Sequence, residues 1–203
     1  MPRANRYLIP RQLYHITHRC HDRSYLLRFV QDRDVYRKWL RRGVAHYGVS
    51  ILGYCLTSNH HLVVYAKQAG AISRFMQFVE GCVAQQYNRR KDRKGAFWED
   101  RFHCTLIDTG RYLWNCLTYI DLNMIRAGVV SHPEEWEWCG YRELMGLRKR
   151  YRVLDIPRLS WKKRWLRNPV PSAKSGRIGP IMVLRSYFTP HKIPAKGIYE
   201  GHI

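Results

Sequence analysis

Residues 111–128 read Arg-Tyr-Leu-Trp-Asn-Cys-Leu-Thr-Tyr-Ile-Asp-Leu-Asn-Met-Ile-Arg-Ala-Gly. Four apolar residues recur at helical spacing and predict an amphipathic helix with one buried stripe: Leu113, Leu117, Ile120 and Met124. Glycine readily adopts the left-handed conformation that ends many helices, so this helix should end at Gly128. Its apolar stripe must pack against another element, and the rest of the chain supplies strands for a sheet.

A neighbouring stripe of the same helix carries polar side chains. Asn115, Tyr119, Asn123 and Arg126 are three or four residues apart, so they share one face. A tyrosine hydroxyl can act as a covalent nucleophile, an amide oxygen can bind a hard metal ion, and a guanidinium can hold a phosphate. From this helix alone, the favoured interpretation is a half-buried helix whose tyrosine only packs and whose asparagine is solvated.

The composition points to an anionic partner. The 203 residues include 36 Lys and Arg against 15 Asp and Glu, a formal net charge of +21. Such an imbalance favours nucleic acid over a membrane surface. No apolar run approaches the ~18 residues of a membrane span, and the basic N-terminus lacks the apolar core of a signal peptide. We therefore expect a cytoplasmic, nucleoid-associated protein.

The predicted elements give an α+β fold. They follow the order β-α-β-β-α-β-α, which suits an antiparallel-centred, ferredoxin-like sheet of about four to five strands with helices packed on one face. Residues 1–147 should form this domain. Residues 148–203 should form a basic, poorly ordered tail, because Pro, Gly and Ser interrupt its periodicity. The elements are predicted at residues 11–18, 32–47, 49–56, 60–65, 72–90, up to 107, and 111–128.

Three further sets of residues bear on binding. His15, His18 and His21 do not fit one face of a strand, so surface or DNA-contact roles are favoured over a metal site. The six cysteines lack a C-x-x-C pair, so zinc-finger spacing is absent. A basic run is often only a solvated surface, but in so cationic a chain we favour phosphate contact. The expected DNA-binding residues are Arg89, Arg90, Lys91, Arg93, Lys94, Trp98, Arg101 and Arg126.

Four segments carry a joint pattern. Residues 53–63, Gly-Tyr-Cys-Leu-Thr-Ser-Asn-His-His-Leu-Val, place a histidine pair on a strand, and residues 119–128 place Tyr-x-x-x-Asn on a helix. Residues 97–102, Phe-Trp-Glu-Asp-Arg-Phe, and residues 14–17, Tyr-His-Ile-Thr, accompany them. Together these segments resemble the single-tyrosine transposases of the HUH nuclease superfamily, specifically the IS200-like REP-associated tyrosine transposases. The resemblance covers about residues 8–145.

The resemblance implies DNA transposition, in which single-stranded or hairpin DNA is cleaved and rejoined. Tyr119 would attack a DNA phosphate, form a 5′-phosphotyrosine link and release a 3′-hydroxyl. His60, His61 and Asn123 would hold a divalent ion, Mg²⁺ or Mn²⁺, which neutralises the phosphate charge. The partner would be DNA, with no membrane and no small-molecule cofactor, and the protein would be a monomer or homodimer.

One departure from the family pattern bears on activity. The family has His-x-His, whereas His60 and His61 are adjacent, and in a regular strand adjacent residues point to opposite faces. One histidine alone would then reach the ion unless a bulge re-aims the other. The sequence leaves open an active transposase and a metal-impaired protein of the same fold that binds DNA hairpins. An unrelated RNA-binding protein is disfavoured by the joint pattern.

Overall fold

The structure, a computed structural model, describes residues 7–108 and 110–160. The strands in this part are β1 (Leu13–Arg19), β2 (Val49–Cys55), β3 (Asn59–Ala66) and β4 (His103–Ile107), and they form an antiparallel sheet in the order β2-β3-β1-β4. The helices are α1 (Val30–Tyr47), α2 (Ala71–Arg90), α3 (Gly110–Asp121), α4 (Asn123–Arg126), α5 (Tyr141–Leu144) and α6 (Ile156–Ser160), with 3₁₀ turns at His21–Arg23 and Pro133–Glu135. The predicted α+β class is confirmed. None of the described helices is both long enough and apolar enough to cross a membrane.

Helices α1 and α2 pack tightly together on one face of the sheet, which we call the back face. A Cβ atom added at Gly43 of α1 would lie 2.7 Å from the Phe75 ring of α2, so a glycine is needed at this crossing. The Tyr36 side chain of α1 meets the His60 side chain of β3 on the same face. The predicted helices therefore do cover the sheet here.

Helix α3 packs on the opposite face, which we call the front face. A Cβ atom added at Gly53 of β2 would lie 2.6 Å from the Leu117 side chain of α3. The expectation of helices on one face is therefore wrong. Helices cover both faces because β3 is buried on both sides. Its consecutive residues Leu62, Val63 and Val64 are all fully buried.

The helix predicted over residues 111–128 is present but bends near its end. Leu122 has φ −89° and ψ 3°, and this residue separates α3 from the single turn α4. Gly128 adopts φ +71°, the left-handed conformation expected at the helix end, and its N–H donates to the carbonyl of Ile125.

The chain stays packed beyond the domain boundary expected after residue 147. The buried carboxylate of Glu143 accepts hydrogen bonds from the backbone N–H groups of Val153 and Leu154 at 2.7 and 2.9 Å. A buried carboxylate needs such donors, so this segment belongs to the folded domain. The remainder of the expected tail, residues 161–203, lies outside the described residues.

Candidate active site

The adjacent histidines of β3 point to opposite faces of the sheet. The His61 ring lies 5.5 Å from the Tyr119 ring of α3, between centroids, whereas the His60 ring lies 5.0 Å from the Tyr36 ring of α1. β3 runs continuously through both histidines, and the register shift between β2 and β3 lies further along, at Gly53. Regular alternation therefore sets both directions. Of the two, His61 faces the tyrosine, and His60 does not reach it.

A second imidazole approaches the tyrosine from β1. His15 Nε2 lies 3.3 Å from His61 Nδ1, and the two rings stack with centroids 5.5 Å apart. The His15 ring also lies 6.4 Å from the Tyr119 ring. β1 and β3 are antiparallel neighbours with His15 opposite Val63, which places His15 and His61 on the same face.

Arg126 of α4 adds a cation to the same place. Its guanidinium carbon lies 4.5 Å from the centroid of the Tyr119 ring, within cation–π range. Tyr119 is 38% exposed, so a large substrate can reach it from solvent. We call these four residues the front cluster: His15, His61, Tyr119 and Arg126.

Burial keeps the two imidazoles of the front cluster neutral. Burial, and to a smaller extent the charges of His15 and Arg126, lowers the pKa of His61 to about 4. Burial also lowers the pKa of His15. A neutral imidazole has a lone pair that can bind a metal ion, whereas an imidazolium has none. Both rings are therefore in the ligand form at neutral pH.

The bend after α3 splits the predicted polar stripe. Tyr119 lies in α3, whereas Asn123 is the first residue of α4 and is half-buried. Asn115 is exposed on α3. Arg126 nevertheless contacts the Tyr119 ring, so these two members of the stripe remain together.

The back face carries a buried polar cluster of its own. His18 of β1 lies directly opposite His60 of β3, and the two residues are 4% and 0% exposed. The Tyr36 hydroxyl lies 3.0 Å from His60 Nε2, and His18 Nε2 lies 2.5 Å from the Asp100 carbonyl oxygen. His18 Nδ1 lies 2.6 Å from Glu80 Oε1. Burial holds the pKa of His60 well below its usual range. We call His18, His60 and Glu80 the back cluster.

Three members of the expected DNA-binding set have partners inside the protein. Arg90 contacts the buried carboxylate of Asp32, and Arg93 donates to Asn88 Oδ1 at 3.1 Å. The ring N–H of Trp98 donates to a backbone carbonyl of α2, and its ring is half-buried beside the back cluster. These contacts give the three residues structural roles and reduce their availability for DNA.

The other members of that set are exposed. They lie at the end of α2, in the following loop, before β4 and on α4: Arg89, Lys91, Lys94, Arg101 and Arg126. Lys91 also lies over the Phe29 ring, with its ammonium 4.8 Å from the centroid. Exposed cations of this kind can contact a phosphate backbone.

The sequence interpretation missed the pairing of histidines between strands. It set His15 and His18 aside because they do not share a face, and each instead meets a histidine of β3 on its own face. A usable signal was present: His15 and His18 are three apart in one strand, and His60 and His61 are adjacent in another. Glu80, on α2, carried no signal in the sequence.

Three comparisons bear on this arrangement. The sequence profile of the family described as "Transposase IS200 like" matches residues 9–123. A protein of Haemophilus influenzae described as a REP-associated tyrosine transposase is 27% identical over 142 residues, which are 64% of this chain and 79% of that protein. The structure of a REP-associated tyrosine transposase bound to a REP hairpin superposes with a TM-score of 0.59 at 17% identity, over 72% of this chain and 86% of that one. At 17% identity, this last match shows a similarity of fold only.

Proposed function

Because the chain belongs to the family of IS200-like transposases, we propose that it cleaves and rejoins hairpin or single-stranded DNA through Tyr119. Two observations support DNA hairpins as the substrate class. The net charge of +21 suits a polyanion, and a protein of the same fold was solved with a REP hairpin.

The observation that carries the proposal is the convergence of the front cluster. An accessible phenol, two neutral imidazoles and a guanidinium meet on one face of the sheet, although they come from β1, β3, α3 and α4. Packing alone does not require this combination, because a half-buried helix can cover a sheet with apolar residues. Nucleophile, metal ligands and phosphate-binding cation are the parts that strand transfer needs.

In the proposed step, the Tyr119 oxygen attacks a DNA phosphorus and forms a 5′-phosphotyrosine bond. The bond between that phosphorus and the 3′-oxygen of the preceding nucleotide breaks, and the 3′-oxygen leaves with the electron pair and takes up a proton. The phenol proton passes to solvent or to a neighbouring base. The guanidinium of Arg126, which lies over the ring, would attract the negative phosphate. Rejoining is the reverse attack by a 3′-hydroxyl, so the phosphodiester energy is conserved.

The residues present fit a divalent ion. His61 would hold it with Asn123, as the family resemblance implies, and His15 stands next to His61 in the neutral form that can join them. When bound, the ion would neutralise phosphate charge and orient the scissile oxygen. Imidazole nitrogen is a poor ligand for Mg²⁺, which prefers oxygen, so of the two candidate ions Mn²⁺ is the better match.

The alternative is a hairpin-binding protein of the same fold with an impaired metal site. One observation favours it: His60, the second histidine of the contracted motif, faces away from Tyr119 and is hydrogen-bonded to Tyr36. The site then keeps one histidine from β3. Whether His15 replaces the missing ligand decides between the two functions.

The test is a covalent-adduct assay. A DNA hairpin labelled at its 3′ end is incubated with the protein and Mn²⁺, and the products are separated on a denaturing gel. The wild-type protein should give a labelled protein–DNA adduct, and Tyr119→Phe should give none. Tyr112→Phe is a matched control, because Tyr112 lies on the same helix and is also 38% exposed.

Each outcome has one interpretation. An adduct formed by Tyr119→Phe would show that another residue is the nucleophile. A wild-type protein that forms no adduct but binds the hairpin with strong salt dependence would be the binding protein of the alternative.

A further inference from the structure

The back cluster has the geometry of a metal site that is separate from the front cluster. One ligand atom from each of His18, His60 and Glu80 lies within 4.8 Å of the other two. The three residues come from β1, β3 and α2, so the cluster joins the sheet to the helix layer. Both histidines are at least nine-tenths buried, which excludes a loose surface group of ligands.

The hydrogen bond made by His18 Nε2 leaves its other ring nitrogen, Nδ1, beside the carboxylate of the cluster. A carbonyl oxygen only accepts, so His18 Nε2 must donate its hydrogen to the Asp100 carbonyl. In the neutral ring, Nδ1 then carries a lone pair, and it lies 2.6 Å from Glu80 Oε1. A lone pair and a carboxylate repel at this distance unless a proton or a cation lies between them. A cation bound between the two atoms would interact favourably with both of them.

His60 offers a second nitrogen of the same kind. Its Nε2 atom is engaged by the Tyr36 hydroxyl at 3.0 Å. Its Nδ1 atom is buried and has no hydrogen-bond partner among the described residues. Such an atom is costly in a protein interior unless a ligand satisfies it. Histidines that bind metals usually have their other ring nitrogen held by a hydrogen bond, as both rings have here.

We propose that the back cluster binds a zinc ion that ties β1 and β3 to α2. Two imidazoles and one carboxylate are a common ligand set for zinc, whereas Mg²⁺ would prefer oxygen ligands. Zinc holds tetrahedral ligands about 3.3 Å from one another at bond lengths near 2.0–2.2 Å. In the structure, His18 Nδ1 and Glu80 Oε1 are closer than this, at 2.6 Å, and no two ligand atoms of the cluster are more than 4.8 Å apart. Small side-chain rotations would therefore complete the site.

The test measures zinc binding by the full-length protein without DNA. Protein freed of metal by a chelator is titrated with Zn²⁺, and in parallel with Co²⁺, whose visible absorption reports tetrahedral coordination. His60→Gln is compared with His61→Gln, a matched control one residue along the same strand but on the other face. His61→Gln should keep one tightly bound ion and the tetrahedral cobalt spectrum. His60→Gln should lose at least about 100-fold in affinity at this site.

Glu80→Gln is a second variant that keeps the shape of the side chain, and it should weaken zinc binding as His60→Gln does. Circular dichroism shows whether each variant folds. The proposal is overturned if His61→Gln binds neither ion, an outcome that depends on no change in the back cluster. It is also overturned if folded Glu80→Gln binds zinc as tightly as the wild type. Because the assay contains no DNA and spares Tyr119, it is independent of the outcome of the adduct assay.

Discussion

β1 and β3 carry two histidine pairs, one on each face, and the pairs have different surroundings. His18 and His60 are almost fully buried under α1 and α2, and each has a hydrogen-bond partner for Nε2. His15 and His61 are half-buried and lie beside an accessible tyrosine and an arginine. The same residue type on the same two strands is thus placed in a closed interior on one side and in an open site on the other.

The difference shows that burial and partners, not residue type, assign a histidine its role. A buried polar atom without a partner is costly, and each ring of the back pair is held in the interior by a hydrogen bond to its Nε2 atom. A half-buried imidazole costs less when it lacks a partner, so the front pair can remain available for the proposed reaction. Substitutions of the adjacent residues His60 and His61 should therefore have unlike effects on stability and on activity.

The largest effect should be on stability and should come from the back face. His60→Ala removes a fully buried ring and leaves the Tyr36 hydroxyl without its partner, so it should lower the free energy of unfolding by about 3 kcal/mol. His61→Ala should cost about 1 kcal/mol or less, because His61 is half-buried. Urea unfolding in the presence of a chelator measures both. Equal losses would contradict the contrast between the faces.

The next effect should be on activity and should come from the front face. His61→Ala should slow adduct formation by about 100-fold and His15→Ala by about tenfold, because each removes an imidazole next to Tyr119. His60→Ala, corrected for the folded fraction, should change the rate little. Single-turnover rates with Mn²⁺ test the order. If His15→Ala matches wild type, His15 does not take the place of the missing motif histidine.

The smallest effect should be on the pH dependence of stability. The folded protein resists protonation of His61 down to about pH 4, whereas the unfolded chain protonates it near the usual pKa of 6.5. The contribution of His61 is therefore complete above pH 6.5 and is lost as the pH falls from 6.5 towards 4. The His61→Gln variant lacks this titrating group. Between pH 6.5 and 5, its free energy of unfolding should therefore fall by about 1 kcal/mol less than that of the wild type, after allowance for partial exposure. Unfolding at pH 7, 6 and 5 measures this, and parallel curves would contradict it.

Several features of this protein followed from local patterns. The helical spacing of residues 111–128 predicted the helix that carries Tyr119, and Gly128 ends the helical segment as expected. Period-two alternation predicted that His60 and His61 would face opposite ways, and they do. These predictions succeed because they depend on the geometry of a single element.

Other features required contacts between distant segments. The bend at Leu122 divides a helix that the apolar spacing presented as continuous, and the packed segment around Leu154 extends past the expected boundary. Residues far apart in the chain form the front cluster, because β1 lies between β3 and β4 in the sheet. No local pattern gives the strand order, since it depends on how the whole chain packs.

The sequence by itself determined the α+β class, the strong positive charge, the family resemblance and the separation of the two β3 histidines, because composition and periodicity are properties of the chain. Only the tertiary structure decided which histidine meets Tyr119, that His15 joins it, and that His18, His60 and Glu80 converge behind the sheet. The reason is physical: a strand fixes the direction of a side chain, but the register with neighbouring strands and the helices above them determine what that side chain touches.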